Sequence, residues 1–186
     1  MHPTLEMIRQ LRTRHRNFSS FLVAFKAKHI AEIGVLDGGG FNEMLLCQPK
    51  LAVAVDLWEG ATYVMHVEQE TMDRYYQSLV SLQGSNPAIA VHRLASKVAS
   101  QLYPDGHFDF IYLDADHTFE GVKMDIECWF PKLRSQGVLS GHDYRKKRIR
   151  DKVCGIIQAV DEFVQSNNLE LFVSGEKCPS WFTIKP

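Results

Sequence analysis

His29-Ile30-Ala31-Glu32-Ile33-Gly34-Val35-Leu36-Asp37-Gly38-Gly39 is the stretch on which the fold turns. Residues 29–34 read as a strand, and a helix is predicted from about Phe41 to Leu46. Gly34 and Gly38 fall where strand gives way to helix, and glycine there allows positive φ and a close backbone approach. Lys50 to Leu57 is nearly continuous apolar sequence ending in Asp56, the pattern of a parallel strand buried on both faces. The rhythm then repeats. Residues 66–83 predict a helix with Tyr75, Leu79 and Leu82 inward, 88–94 a strand and 98–102 a short helix. Residues 108–114 predict a strand, 119–133 a helix with Val122, Ile126, Trp129 and Phe130 inward, and 137–141 a fifth strand. A helix over 152–167 and strands over 169–174 and 181–185 follow. The separator 175–180 has no room for a crossover helix, so the last strand is expected antiparallel to its neighbour. Strands alternating with helices imply an α/β fold: a seven-stranded, mostly parallel sheet with helices on both faces.

Length and composition bound the function. The chain has 186 residues, 45% of them hydrophobic and 23% charged, which suits one domain with a real core. We read residues 1–28 as a helical segment ahead of a core spanning 29–186. Leu5, Ile8 and Leu11, then Phe18, Phe21, Leu22 and Phe25, recur there at helical spacing, with Arg9, Arg12, Arg14 and Arg16 on a solvated face. A net charge of −1 creates no global field for nucleic acid or an anionic membrane. No run approaches the ~20 apolar residues of a bilayer span. Met1-His2-Pro3-Thr4-Leu5-Glu6 lacks the basic-then-apolar start of a secretory signal, so a cytoplasmic location is expected. Cys47, Cys128, Cys154 and Cys178 include no CxxC pair and are expected to be buried free thiols.

A ligand of such a sheet lies beyond the carboxyl ends of its strands, at the topological switch point. The glycine turn is not GxGxxG, because Leu36 stands at the middle glycine. By itself it fits a plain strand-to-helix turn equally well. Asp56 ends the next strand, 22 residues after Gly34. A carboxylate there can accept from both hydroxyls of a ribose, which points to an adenosine cofactor without saying which. Leu36 and Asp37 oppose a pyrophosphate, whereas Glu32 and Asp37 favour a sulfonium cation.

Six segments then occur in order. They are Glu32-Ile33-Gly34-Val35-x-x-Gly38-Gly39, Val55-Asp56-Leu57-Trp58-Glu59-Gly60 and Phe108-Asp109-Phe110-Ile111-Tyr112-Leu113-Asp114-Ala115-Asp116-His117. After them come Gly121-Val122-Lys123-x-Asp125-Ile126, Leu133-x-x-x-Gly137-Val138-Leu139-x-Gly141-His142-Asp143-Tyr144 and Pro179-Ser180-Trp181-Phe182. Together they resemble a bacterial family of class I S-adenosylmethionine-dependent methyltransferases. That family is related to the metal-dependent O-methyltransferases of catechol and caffeoyl-CoA type and to the macrolide-sugar and aminocoumarin methyltransferases. The resemblance spans roughly residues 29–185 and is most specific over 108–144. It implies a Rossmann-like methyltransferase fold, S-adenosyl-L-methionine as cofactor, and O-methylation of a hydroxyl on a small molecule.

Carried over residue by residue, the resemblance puts Glu32, Gly34, Gly38, Asp56, Leu57, Ser96, Asp114 and Asp116 around the cofactor. Ser96 is the polar candidate for adenine, and Asp116 serves cofactor or substrate. Trp58 either covers the ribose or belongs to the core. His117 stands three residues after Asp114, where the O-methyltransferase relatives carry a catalytic lysine. We read it as the general base with Asp114 beside it, since an ordinary histidine pKa near 6.5 suits neutral pH. The alternative is that His117 caps the next helix or touches the cofactor. Asp114, His142 and Asp143 fall where those relatives bind Mg²⁺. His142 departs from their carboxylate, which leaves Mg²⁺, Mn²⁺, another divalent ion or no metal open. Without a metal, His142 and Asp143 would orient a substrate hydroxyl or cap the strand. The basic run 145–150 either meets an anionic acceptor or is a solvated loop. Scant insertion between strands suggests an open site or one completed by a homodimer. Two other readings share the frame: a hydroxylase-associated relative and a non-catalytic S-adenosylmethionine-binding module.

Overall fold

The structure is a computed structural model and describes residues 14–60, 67–146, 148–149 and 152–186. Of the helical segment read over residues 4–28, residues 4–13 lie outside this description, as does the first residue of the helix read over 66–83. Helix α1 covers Arg14–Phe25, strand β1 His29–Ile33, α2 Gly39–Leu45 and β2 Leu51–Asp56. Then come α3 (Gln69–Ser85), β3 (Ile89–Arg93), α4 (Ser96–Ser100), β4 (Phe108–Leu113), α5 (Phe119–Trp129) and β5 (Leu133–Gly141). A small hairpin of β6 (Arg148–Ile149) and β7 (Lys152–Val153) precedes α6 (Ile156–Ser166), β8 (Phe172–Val173) and β9 (Trp181–Ile184).

Seven strands form one sheet in the order β3-β2-β1-β4-β5-β9-β8. The pairs among the first five are parallel, and β9 runs antiparallel to both β5 and β8. The short 175–180 separator therefore closes a hairpin, as its length requires. Side chains of a strand alternate between faces. Ile30 of β1 packs with Phe21 and Leu22 of α1, Phe41 and Met44 of α2, and Met72 and Leu79 of α3. Its neighbour Ala31 packs on the other face with Ala99 of α4, Val122, Ile126 and Trp129 of α5, and Val160 of α6. Fully burying each large side chain contributes about 1.5–3 kcal/mol, so two such layers lock the sheet between its helices. Among the described residues no helix is long and apolar enough to cross a membrane.

Four element boundaries differ from the sequence expectation. The helix read over 119–133 stops at Trp129, because Pro131 has no N–H to donate and residues 130–132 tighten into a 3₁₀ turn. The fifth strand starts at Leu133 rather than 137, with a register shift opposite Phe108–Phe110. The helix read over 152–167 begins at Ile156, since residues 152–153 pair with 148–149. The strand read over 169–174 shrinks to two residues, because Leu169 N still bonds Val164 O at the end of α6. Cys47 and Cys154 are buried free thiols, whereas Cys128 and Cys178 are partly exposed.

The chain builds β1, β2 and β3 outward on one side, then jumps to β4 on the other. The switch point therefore lies between β1 and β4, at Gly34. Gly34 N donates to Val55 O at 2.8 Å, and Asp114 N donates to Ile33 O at 2.7 Å. Gly34 has φ +86°, and a Cβ there would come within 2.3 Å of the Asp114 carbonyl oxygen. Gly34→Ala is expected to lower stability by about 3 kcal/mol or more, because strain and overlap add. Urea unfolding monitored by circular dichroism measures it, and a loss below about 1 kcal/mol would contradict this packing.

Candidate active site

The turn after β1 is held by one carboxylate. Asp56 Oδ2 accepts from Val35 N at 2.8 Å and from Leu36 N at 2.9 Å. Its Oδ1 accepts from Trp58 N at 2.9 Å. Leu36 sits at φ +53°, a region that non-glycine residues avoid, and its carbonyl accepts from Trp58 Nε1 at 2.8 Å. Both backbone groups of Leu36 are thereby fixed. A carboxylate offers about four acceptor positions, and groups among the described residues fill three of these. Trp58 is fully buried beside Tyr76, so it belongs to the core and is no lid. Gly38, at φ +83°, is the N-cap of α2, while Asp37 bonds Gly39 N on the exposed side of the turn. Glu32 is buried in β1 below it.

Leu57 follows β2 with its side chain 42% exposed, an uncovered apolar surface at the carboxyl edge. Arg93, at the end of β3, anchors this corner. Its guanidinium donates to Leu57 O and Trp58 O and pairs with Asp73 at 2.8 Å. Ser96, the adenine candidate, faces elsewhere. Its hydroxyl donates to Asp125 Oδ1 and accepts from Trp129 Nε1 at 2.9 Å.

The second cluster forms where β4 and β5 end. His117 is buried, with Nε2 3.3 Å from Asp114 Oδ1 and Nδ1 3.9 Å from Asp143 Oδ2. Nδ1 has no hydrogen-bond partner among the described residues. His142 Nδ1 lies 3.5 Å from the same Asp114 oxygen. Asp114 is thus the hub, flanked by two imidazoles. Asp143 has φ +55°, and its Oδ1 accepts from Arg145 Nε at 3.0 Å. Two bonds hold the backbone there: Tyr144 N to Pro179 O, and Arg145 N back to Asp143 O. Burial and the Asp161 carboxylate that it bonds push the Tyr144 hydroxyl well above its usual pKa. Asp116 lines the same cleft and accepts from Thr118 N at 2.8 Å, while Thr118 Oγ1 caps α5 by accepting from Gly121 N. His117 thus leaves helix capping to Thr118. Its own carbonyl accepts from Gly155 N, the residue that opens α6. The cleft here is closed below by Val122, Ile156 and Trp181.

The chemistry of the donors tests the metal expectation. Asp114 Oδ1 and His142 Nδ1 are spaced as two ligands of one ion can be. Asp143 is not: it faces the opposite nitrogen of His117 and is engaged by Arg145. Among the described residues no group of three His, Cys, Asp or Glu side chains is arranged to hold an ion. The expected set of Asp114, His142 and Asp143 does not fit an ion as it stands. Arg145, read from sequence only as part of a basic run, is a partner of Asp143. Asp125 and Trp181 carried no sequence role. The available signal was a carboxylate on the inward stripe Val122, Ile126 and Trp129 of a core helix.

A strand-edge turn locked by a carboxylate and an acid–imidazole cluster one strand away mark the carboxyl edge of a Rossmann-like sheet as the site. The family described as methyltransferase domain matches residues 31–144, more than half of the chain, and the chain belongs to that family. No curated protein matches it. The fold is shared with a candidate caffeoyl-CoA O-methyltransferase from Staphylococcus aureus, at TM-score 0.68 and 15% identity, covering 91% of this chain and 81% of that one. An O-methyltransferase from Bacillus cereus, solved in complex with SAH, aligns at TM-score 0.66 and 16% identity over 100% of this chain and 92% of its own. A SAM-dependent methyltransferase from Aquifex aeolicus aligns at 0.61 and 16%, covering 98% and 97%. These likenesses establish the seven-stranded methyltransferase fold.

Burial is the largest influence on Asp125 and pushes its carboxyl up to about 6, against the bond from Ser96, with the Asp116 carboxylate adding to the rise. Between the ordinary carboxylate value and about 6 the folded state binds more protons than the unfolded chain, so stability falls as pH rises through that window. Asp125→Asn removes this term. Its Tm relative to the unchanged protein is expected to be a few degrees more favourable at about pH 7.5 than at about pH 4. Thermal unfolding at the two pH values checks it, and a constant difference would contradict the raised carboxyl.

Proposed function

We propose that this protein transfers the methyl group of S-adenosylmethionine to a hydroxyl of a small molecule, with His117 as general base. One observation carries the proposal: a buried histidine is held between two carboxylates beside the carboxyl edge of β4. Nε2 lies within hydrogen-bond reach of Asp114 Oδ1, whereas the Asp143 carboxylate, fixed by Arg145, stands 3.9 Å from Nδ1. When an acceptor hydroxyl takes the place of Nε2 against Asp114 Oδ1, the ring proton resides on Nδ1, on the Asp143 side, and Nε2 becomes the nitrogen able to accept a proton. An acceptor hydroxyl seated against Asp114 Oδ1 gives its proton to Nε2. Its oxygen takes the methyl as the C–S bond breaks, leaving a neutral thioether and an ether product. Asp114 stabilises the imidazolium until water removes its proton. Most of the rate enhancement comes from placing the two reactants in line.

The methyl donor is placed along the carboxyl edge. The locked Leu36 turn, the remaining acceptor position of Asp56, exposed Leu57 and the 94–96 turn form its donor side, with Asp114 and Asp116 at the reacting end. Gly34 and Gly38 shape the turn, and Glu32 adds negative charge beneath the sulfonium. A divalent ion would be held by Asp114 and His142 and would supply Lewis-acid polarisation of the acceptor oxygen. A near-neutral chain supports a small-molecule acceptor over nucleic acid. We place the protein in the cytoplasm, alone or as a homodimer.

Calorimetry with S-adenosylhomocysteine, with and without Mg²⁺ or Mn²⁺, tests the donor and the ion separately. Saturable binding of S-adenosylhomocysteine is expected, and NADH binding in its place would overturn the proposal. With an acceptor found by screening hydroxylated small molecules, His117→Ala is expected to lower kcat by about 10²–10⁴. Its affinity for S-adenosylhomocysteine should stay within about twofold, because general-base loss acts on the chemical step. An unchanged kcat would remove His117 from the mechanism.

A further inference from the structure

Helix α5 presents Gly121, Asp125 and Trp129, four residues apart, along one stripe. Asp125 is 2% exposed, and a buried carboxyl is costly unless it is bonded. Its bond comes from Ser96 Oγ, which is also the acceptor of Trp129 Nε1. Two side chains of α5 therefore grip one hydroxyl of α4. The proposed chemistry uses neither.

Ser96 opens α4 immediately beyond β3. Arg93 pairs in register with Asp56, and Leu94 N donates to Asp56 O at 3.1 Å. The 94–96 turn is therefore the wall next to the Asp56-locked turn. Asp125 also lines the cleft that holds Asp114 and His117. The Asp116 carboxylate fits above it only because residue 121 is glycine: a Cβ there would lie 2.4 Å from that carboxylate. One buried carboxyl thus joins the donor wall to the loop that carries the base.

We propose that Asp125 is a positioning residue that, through Ser96, sets the place of the 94–96 turn against the bound methyl donor. This rests on the S-adenosylmethionine reading above. Asp125 touches neither donor nor acceptor, so its removal weakens donor binding and leaves the chemical step alone. An uncharged amide at the same place still accepts from Ser96 and preserves the wall.

The test is S-adenosylhomocysteine calorimetry with donor kinetics on the full chain. Asp125→Ala is expected to raise the Kd for S-adenosylhomocysteine and the KM for the donor about tenfold, the worth of one buried hydrogen bond. Its kcat at saturating donor should stay within about twofold. Asp125→Asn should restore affinity to within about twofold, and Ser96→Ala should reproduce Asp125→Ala. A merely structural carboxyl would reduce the active fraction without splitting KM from kcat. Unchanged affinity in Asp125→Ala, equal losses in Asp125→Ala and Asp125→Asn, or a fall in kcat alone overturns the proposal. If Asp125→Ala does not fold, the affinity of Ser96→Ala decides. Absence of S-adenosylhomocysteine binding by the unchanged protein overturns the donor reading itself, and this proposal with it.

Discussion

Three backbone N–H groups converge on the carboxylate of Asp56, and the active end of the molecule depends on that convergence. Two come from the turn after β1 and one from the segment after β2. Charge-assisted bonds of this kind are the strong ones. They hold Leu36 in a left-handed conformation that its side chain resists, while Trp58 secures the carbonyl of the same residue. The turn is thus held by the chain's own groups. Because Gly34 rests on the Asp114–Ala115 peptide, the place of that turn also fixes where β4 ends and where His117 begins.

The two halves of the site follow different physical rules. The half around the glycine turn is mostly backbone, shaped by positive φ angles and anchored by Asp56 and Trp58. The reacting half is mostly side chain: carboxylates and imidazoles a little too far apart for strong direct bonds. Arg145 is essential to that half in an indirect way, since it satisfies Asp143 and prevents a second uncompensated carboxylate beside His117.

The sheet was legible from sequence because buried parallel strands are apolar runs and their connections are periodic. The antiparallel end was legible because 175–180 cannot hold a helix. The β6–β7 hairpin was not: a basic run followed by Asp151, Lys152 and Val153 has no strand periodicity of its own. Within the site, the gathering of Asp114, His117, His142 and Asp143 followed from strand ends meeting at one edge. Their pairing did not, because whether Asp143 faces an ion or Arg145 depends on a left-handed residue that sequence does not announce. Ser96 misled for a related reason. A serine after a strand suggests an exposed donor, and only the packing of α5 on α4 reveals that its hydrogen bonds are already committed.

The ends of the sheet bear on how copies of the chain can meet. Edge strands invite pairing with other chains through their unpaired backbone groups. Here β8 is only two residues long, and at the opposite edge the Val91 N–H of β3 is taken by Gln83 Oε1 from α3 at 2.6 Å. Neither margin offers a long open ladder. Among the described residues, self-association by strand addition is therefore disfavoured at both ends of the seven-stranded sheet.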